Sequence, residues 1–194
     1  MIVGAVVGVL LLACPTSGPK NAHLHWSDAA TMVSPDCRWS VEVKPLPGDS
    51  DAAVLLTNVK TGAVRQLFVL ARDGAVHWSV DGQTLVVRYD EFSNHYRVMV
   101  FSPLDAWQTD TAALEVDRRI RADIEHTLAP TARILSYFPR FVSFTPGGAA
   151  IMSVGVVTVN GETGPTTRHC FGYVVTPSPL SIHARHEVSC QTDA

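Results

Sequence analysis

One short step occurs three times in this chain, and it limits what the chain can fold into. It reads "VSPDCRWSVEV" from Val33 to Val43, "HWSVDGQTLVV" from His77 to Val87, and "FTPGGAAIMSV" from Phe144 to Val154. Each copy has an apolar residue, a hydroxyl residue, Pro or Val, Asp or Gly, Gly or Cys, and then an apolar strand. A strand ends, a polar turn reverses the chain, and a new strand begins. Asp or Gly at the turn tolerates a left-handed backbone. Cys37 stands where the other two copies carry glycine. A device repeated in this way predicts a chain built mainly of antiparallel β-strands.

The spacing of the copies carries the reading further. Asp36 and Asp81 are 45 residues apart, and Asp81 and Gly147 are 66 apart. The first interval matches one blade of a repeat whose period is about 40–45 residues. The second has 21 residues in excess. It contains "DTAALEVDRRIRADIEHTL", Asp110 to Leu128, which reads as an inserted helix. Asp110 or Thr111 can cap it, Leu114, Ile120, Ile124 and Leu128 share roughly one face, and Pro130 stops it. The three steps resemble the SPDG step of TolB-like and WD40-like β-propeller repeats, which joins two strands within a blade. That resemblance implies blade-like antiparallel sheets. Closed propellers have about four to eight blades, and this chain holds material for about three.

The expected architecture is therefore a partial propeller or sandwich of two or three small sheets, with the helix covering an exposed sheet edge. Strands are expected at Trp39–Lys44, Ala53–Val59, Val64–Ala71, Val76–Val80, Thr84–Asp90 and Tyr96–Ser102. After the helix they are expected at Arg133–Tyr137, Phe141–Phe144, Ala149–Val159, Arg168–Thr176 and His183–Cys190. Residues 31–194 form one domain in this reading.

The N-terminus speaks to location. Ile2 to Leu12 is an uncharged apolar run. It is shorter than the roughly 20 residues a membrane-spanning helix needs, and it has the length of a signal-peptide core. The run ends in "LLAC", Leu11 to Cys14, which resembles a bacterial lipobox. That resemblance implies cleavage before Cys14 and lipid attachment to it. Leu12 is bulkier than usual there, and no Lys or Arg precedes it. Residues 1–13 are thus expected as a signal peptide and 14–30 as a tether, on a periplasmic, membrane-anchored lipoprotein. An ordinary secreted protein is the alternative. Cysteine usage fits an oxidising compartment. With Cys14 lipidated, one disulfide and one free thiol remain. Cys170 and Cys190 lie on two successive strands joined at Thr176–Ser181, so they are the expected pair.

Composition excludes more than it assigns. The formal charge is −3, and Arg118, Arg119 and Arg121 are interleaved with acids, so there is no nucleic-acid footprint. No nucleophile elbow, phosphate loop or zinc-protease motif is present. His183 and His186 point to opposite faces of a strand, and Asp49 and Asp51 lack the rest of a calcium loop. No metal and no cofactor are expected.

The most distinctive polar cluster is "YDEFSNHYR", Tyr89 to Arg97. Read as a loop between two apolar strands, it offers Asp90, Glu91, Phe92, Asn94, His95, Tyr96 and Arg97 to a partner. The expected function is a non-enzymatic binding module for a protein or envelope component, of inhibitor or immunity type. The alternative is a small periplasmic hydrolase using Asp90, Glu91 and His95.

Overall fold

Each of the three sequence steps folds into a turn closed by the same backbone bond, with the Ser34, Ser79 and Thr145 carbonyls each accepting from the N–H three residues on, and the first two turns share their side-chain bonds as well. The computed structural model describes residues 21–25, 27, 29–48, 51–92, 95–102, 110–177, 179–185 and 190. In the first turn, Ser34 Oγ donates to Asp36 Oδ1 at 2.6 Å and accepts from the Trp39 N–H at 3.0 Å. Asp36 Oδ1 also accepts from the Arg38 N–H at 3.2 Å. The second turn repeats the set: Ser79 Oγ to Asp81 Oδ1 at 2.5 Å, Thr84 N–H to Ser79 Oγ at 2.9 Å, and Gln83 N–H to Asp81 Oδ1 at 3.1 Å. These bonds hold the Asp81 carboxyl below its ordinary range, the Ser79 hydroxyl most of all. The third turn is one residue shorter and has no aspartate. Thr145 Oγ1 accepts directly from the Ala149 N–H at 3.1 Å. Cys37, Gly82 and Gly148 take equivalent places, at φ 57°, 69° and 79°, and Cys37 is the only described non-glycine residue with positive φ.

Each turn joins two neighbouring strands within one of three groups of four described strands. The first is an antiparallel sheet in the order β2 (Ala30–Val33), β3 (Trp39–Pro45), β4 (Ala52–Asn58) and β5 (Val64–Leu70). The other two groups join in an eight-stranded sheet. One half is β1 (Asn21–His25), β6 (Asp73–Trp78), β7 (Leu85–Phe92) and β8 (His95–Phe101). The other is β9 (Ala132–Phe144), β10 (Ala150–Asn160), β11 (Thr166–Pro177) and β12 (Leu180–Arg185). The halves meet at a parallel seam, β8 beside β9, where His95 pairs with Tyr137. Every other described strand pair is antiparallel. The protein is mainly β with one helix, α1 (Asp110–Thr127), as the sequence predicts.

Two cores flank β7 and β8. One lies between the sheets and holds Trp39, Val41 and Val54 against Trp78, Leu85, Val87, Met99 and Phe101. The Phe68 and Tyr89 rings stack across it at 4.7 Å. The other holds Val86, Val98 and Val100 against Val116, Ile120 and Ile124 of α1, with Tyr137, Met152 and Tyr173 beyond. Alternate residues of β7 and β8 therefore face different cores, which explains the unbroken apolar runs "LVV" and "VMVF". Each such side chain, fully buried, stabilises the fold by about 1.5–3 kcal/mol.

The structure corrects the sequence reading in three places. The helix covers a face of the sheet, not an edge. Val116, Ile120 and Ile124 form a stripe at helical spacing that needs an apolar face to bury it, and no strand edge offers one. The stretch expected as a tether contains β1, which pairs with β6 from Asn21↔His77 to His25↔Asp73. Its polar composition conceals Leu24, which is fully buried. Lastly, Arg133–Tyr137 and Phe141–Phe144 are one continuous strand. Pro139 reads as a breaker, yet it sits in register opposite Val154. The β8–β9 pairing, described only at His95↔Tyr137, leaves no second ladder there for proline to interrupt. The expected signal peptide and Cys14 lie outside the described residues, as does the tether before Asn21.

Candidate functional site

The cluster Asp90–Arg97 is not a solvated loop. Asp90 and Glu91 belong to β7, and His95, Tyr96 and Arg97 belong to β8. Tyr89 pairs with Arg97, Asp90 with Tyr96 and Phe92 with His95, with a register shift between Asp90 and Phe92. The Phe92 side chain and Asn94 lie outside the described residues. The strand pairing continues to Phe92 and His95, so the strands extend further than the polar composition suggested.

The charges of this hairpin are used inside the protein. Arg97 Nε donates to Glu91 Oε2 at 2.7 Å, and Arg97 Nη1 lies 3.9 Å from Asp117 Oδ2. Asp117 is 1% exposed and accepts from the Val98 N–H at 3.3 Å. Arg121 Nε lies 3.4 Å from Asp117 Oδ2, and its guanidinium stands 4.2 Å over the Tyr137 ring. Burial pushes the Asp117 carboxyl up, against the pull of Arg121 first and Arg97 last. Tyr173 O–H adds a second tie, donating to Asp123 Oδ2 at 2.9 Å. Arg97 thus fastens the hairpin to the helix.

Asp90, Glu91 and His95 do not form an acid–base set. Asp90 is buried, its Oδ1 has no hydrogen-bond partner, and its carboxyl is raised by burial. The charges acting on it are those of Arg72, Asp73 and Arg88. His95 instead lines a 410 Å³ cleft with Arg121, Glu125, Arg133 and Ile134, which neither Asp90 nor Glu91 lines. Glu91 is occupied by Arg97.

A different site emerges elsewhere on the eight-stranded sheet. Three open clefts of 180, 280 and 350 Å³ adjoin one another, and Arg140 lines all three. Arg88 lines two of them and Arg168 another two. Their aromatic walls are Phe138, Phe141, His77 and Tyr96. The Arg88 guanidinium lies 5.0 Å over the Tyr96 ring, and its Nε is buried without a hydrogen-bond partner. Tyr96 packs on Phe138 at 5.6 Å, and His77 stacks on Phe141 at 4.3 Å. Burial, and then the charge of Arg88, pull His77 down to about 4, so it is neutral at neutral pH. Among the described residues, no acidic residue lines any of the three clefts. Among the residues expected from sequence, only Tyr96 belongs to this groove. Arg88, Arg140 and Arg168 come from three strands far apart in the chain, in "VVRYD", "FPRFV" and "TTRHC". The usable signal was an arginine set among apolar strand residues. Nothing in the sequence shows that the three converge.

Cys170 and Cys190 form a disulfide with Cα atoms 5.3 Å apart, as the strand order predicts. Cys170 lines the smallest of the three clefts. The expected free thiol is absent among the described residues. Cys37 is also disulfide-bonded, to a partner outside the described residues. Its positive φ places it on the turn's outer corner, where glycine stands in the other copies. No group of three His, Cys, Asp or Glu suited to a metal occurs among the described residues, and no described helix is long and apolar enough to cross a membrane. No family model, curated protein or solved structure matches the chain.

Proposed function

We propose that the protein is an exported, non-enzymatic binding module of a bacterial envelope, directed at a protein or another envelope component, with a lipid at Cys14 as its anchor only where that sulfur is not taken by a disulfide. One observation carries the binding role. A rigid sheet presents Arg88, Arg140 and Arg168 beside aromatic rings in one groove. Arginine and aromatic side chains are the types that dominate interface hot spots. Export is supported by the apolar run before "LLAC" and by the disulfide between Cys170 and Cys190. The blade-like grouping of the strands supports kinship in form with propeller repeats. The hydrolase reading has in its favour only the buried, unpartnered Asp90 Oδ1.

The test uses the full chain produced in a bacterium and displayed on a solid support. Envelope extract should yield a bound component in fixed ratio to the protein, and a panel of ester, amide and glycoside substrates should show no turnover. A turnover abolished by Asp90→Ala with His95→Ala, with capture unchanged, would establish the hydrolase instead.

A further inference from the structure

We infer that the cleft between the end of α1 and the start of β9 binds a short apolar peptide with free ends, its ammonium at Glu125 and its carboxylate at Arg133. This cleft shares no described residue with the groove of Arg88, Arg140 and Arg168, and its ligand is a second one beyond the partner of the binding module.

The helix leaves one acid without its cation. Arg121 stands four residues after Asp117 and four before Glu125, so on the helix surface it can serve either. The buried Asp117 takes it: Arg121 Nε lies 3.4 Å from Asp117 Oδ2, and the guanidinium stands 4.2 Å over the Tyr137 ring. Glu125 is exposed and is in no ion pair or hydrogen bond among the described residues. The helix ends at Thr127, so the negative end of its dipole adds to the Glu125 charge and favours a cation there. On β9, Arg133 is exposed and is likewise in no ion pair or hydrogen bond among the described residues. Both side chains line the cleft, and His95 of β8 lines it with them. A guanidinium suits a carboxylate because its parallel N–H groups match both oxygens.

Opposite charges in one cleft select a zwitterion. A simple anion at Arg133 would leave Glu125 without a cation, and a simple cation at Glu125 would meet the guanidinium groups of Arg121 and Arg133. A free amino acid carries its two charges on one carbon, so it would need Glu125 and Arg133 almost in contact, yet they form no ion pair. An extended dipeptide holds its ends about 7 Å apart, at about 3.3 Å per residue. The walls select apolar side chains. Leu128 and Ile134 are half-buried, and Ala129, Pro130 and Ala132 continue their surface. At 410 Å³ the cleft falls within the range of small-molecule sites, about 300–1,000 Å³, whose walls are mostly apolar with a few placed polar groups.

The experiment is an amide NMR titration of the full chain with the dipeptide leucyl-leucine, its N-acetyl form and its C-terminal amide. Leucyl-leucine should give saturable shifts at His95, Glu125 and Ile134. Each blocked form should bind about tenfold more weakly, the loss expected for one charge-assisted pair. Glu125→Gln should weaken leucyl-leucine about tenfold and leave the N-acetyl form no weaker, because that form has no ammonium to lose. Arg133→Gln should do the same to leucyl-leucine and leave the amide form no weaker. A merely structural role for either residue would weaken all three ligands alike. Both side chains are exposed, so both variants should keep the wild-type melting temperature. No shifts at the cleft, equal binding of the three forms, or unchanged leucyl-leucine affinity in both variants would overturn the assignment.

Discussion

Gln83 donates a hydrogen bond from Nε2 to Asp36 Oδ2 at 2.9 Å, joining two turns 47 residues apart. The bond links the turn that enters β3 to the turn that enters β7, and so links the two sheets. The two Asp36 oxygens divide the labour: Oδ1 closes its own turn, and Oδ2 reaches the next copy. A Cβ built on Gly82 would come within 2.5 Å of Asp36 Oδ1, so the contact is close-packed as well as polar.

Gly82→Ala and Gly148→Ala should therefore differ. Both glycines have positive φ, which costs an alanine about 1–2 kcal/mol. Only Gly82 also faces Asp36, because nothing lies within 4 Å of a Cβ at Gly148. Urea unfolding should show the larger loss for Gly82→Ala, by about 1 kcal/mol or more. Equal losses would mean that the two turns do not bear on one another.

Arg97→Ala should destabilise the protein, contrary to what an exposed loop would predict. It removes the bond to Glu91 and one of the two cations beside the buried Asp117. A loss of about 1–3 kcal/mol in chemical denaturation is expected, since a buried carboxylate loses part of its compensation. The Tm of an Arg168→Ala variant, at an exposed position, serves as the comparison and should hardly move. If both variants melted alike, Arg97 would have no structural role.

How far the sequence discloses this fold can be seen at particular residues. The three turns are legible because Ser34, Asp36, Ser79 and Asp81 act locally, within five residues of their partners. The helix and the Cys170–Cys190 bridge follow from spacing in the same way. Leu24 is hidden because its burial depends on β6, which lies about fifty residues further on. The groove is hidden for the same reason: Arg140 and Arg168 meet across β10, and Arg88 joins them only through the parallel seam at His95 and Tyr137, a pairing no local pattern encodes. The Asp90–Arg97 cluster reads as a loop from its residue types, while Arg97 is held by Glu91 within the hairpin and by Asp117 on α1.

His77 should give stability a pH dependence. Its folded pKa of about 4 lies below its ordinary 6.5, so between these values the unfolded chain binds more protons than the folded one. Stability is fully present above about 6.5 and is lost as the pH falls toward 4. The contribution is on the order of 2 kcal/mol once its partial exposure is allowed for. His77→Phe keeps a ring against Phe141 and should flatten the curve in this window. An unchanged slope would place the dependence elsewhere.

The fate of Cys14 can be read from mass and location together. Lipid attachment uses its sulfur, and so does a disulfide with Cys37, so the two exclude each other. With lipid, the mature protein carries the added mass of a diacylglycerol group, sits in the membrane fraction, and becomes soluble on Cys14→Ser. A mature protein with no lipid and with Cys14 oxidised to Cys37 would remove the anchor and leave an exported, unanchored module.

The most direct test of the binding account is a backbone amide NMR map of the full chain titrated with the component it captures from envelope extract. Shifts should gather at Arg88, Tyr96, Phe138, Arg140, Ser153 and Arg168, around the groove. Shifts gathered instead at His95, Arg121, Glu125 and Arg133, around the cleft beside the helix, would contradict it.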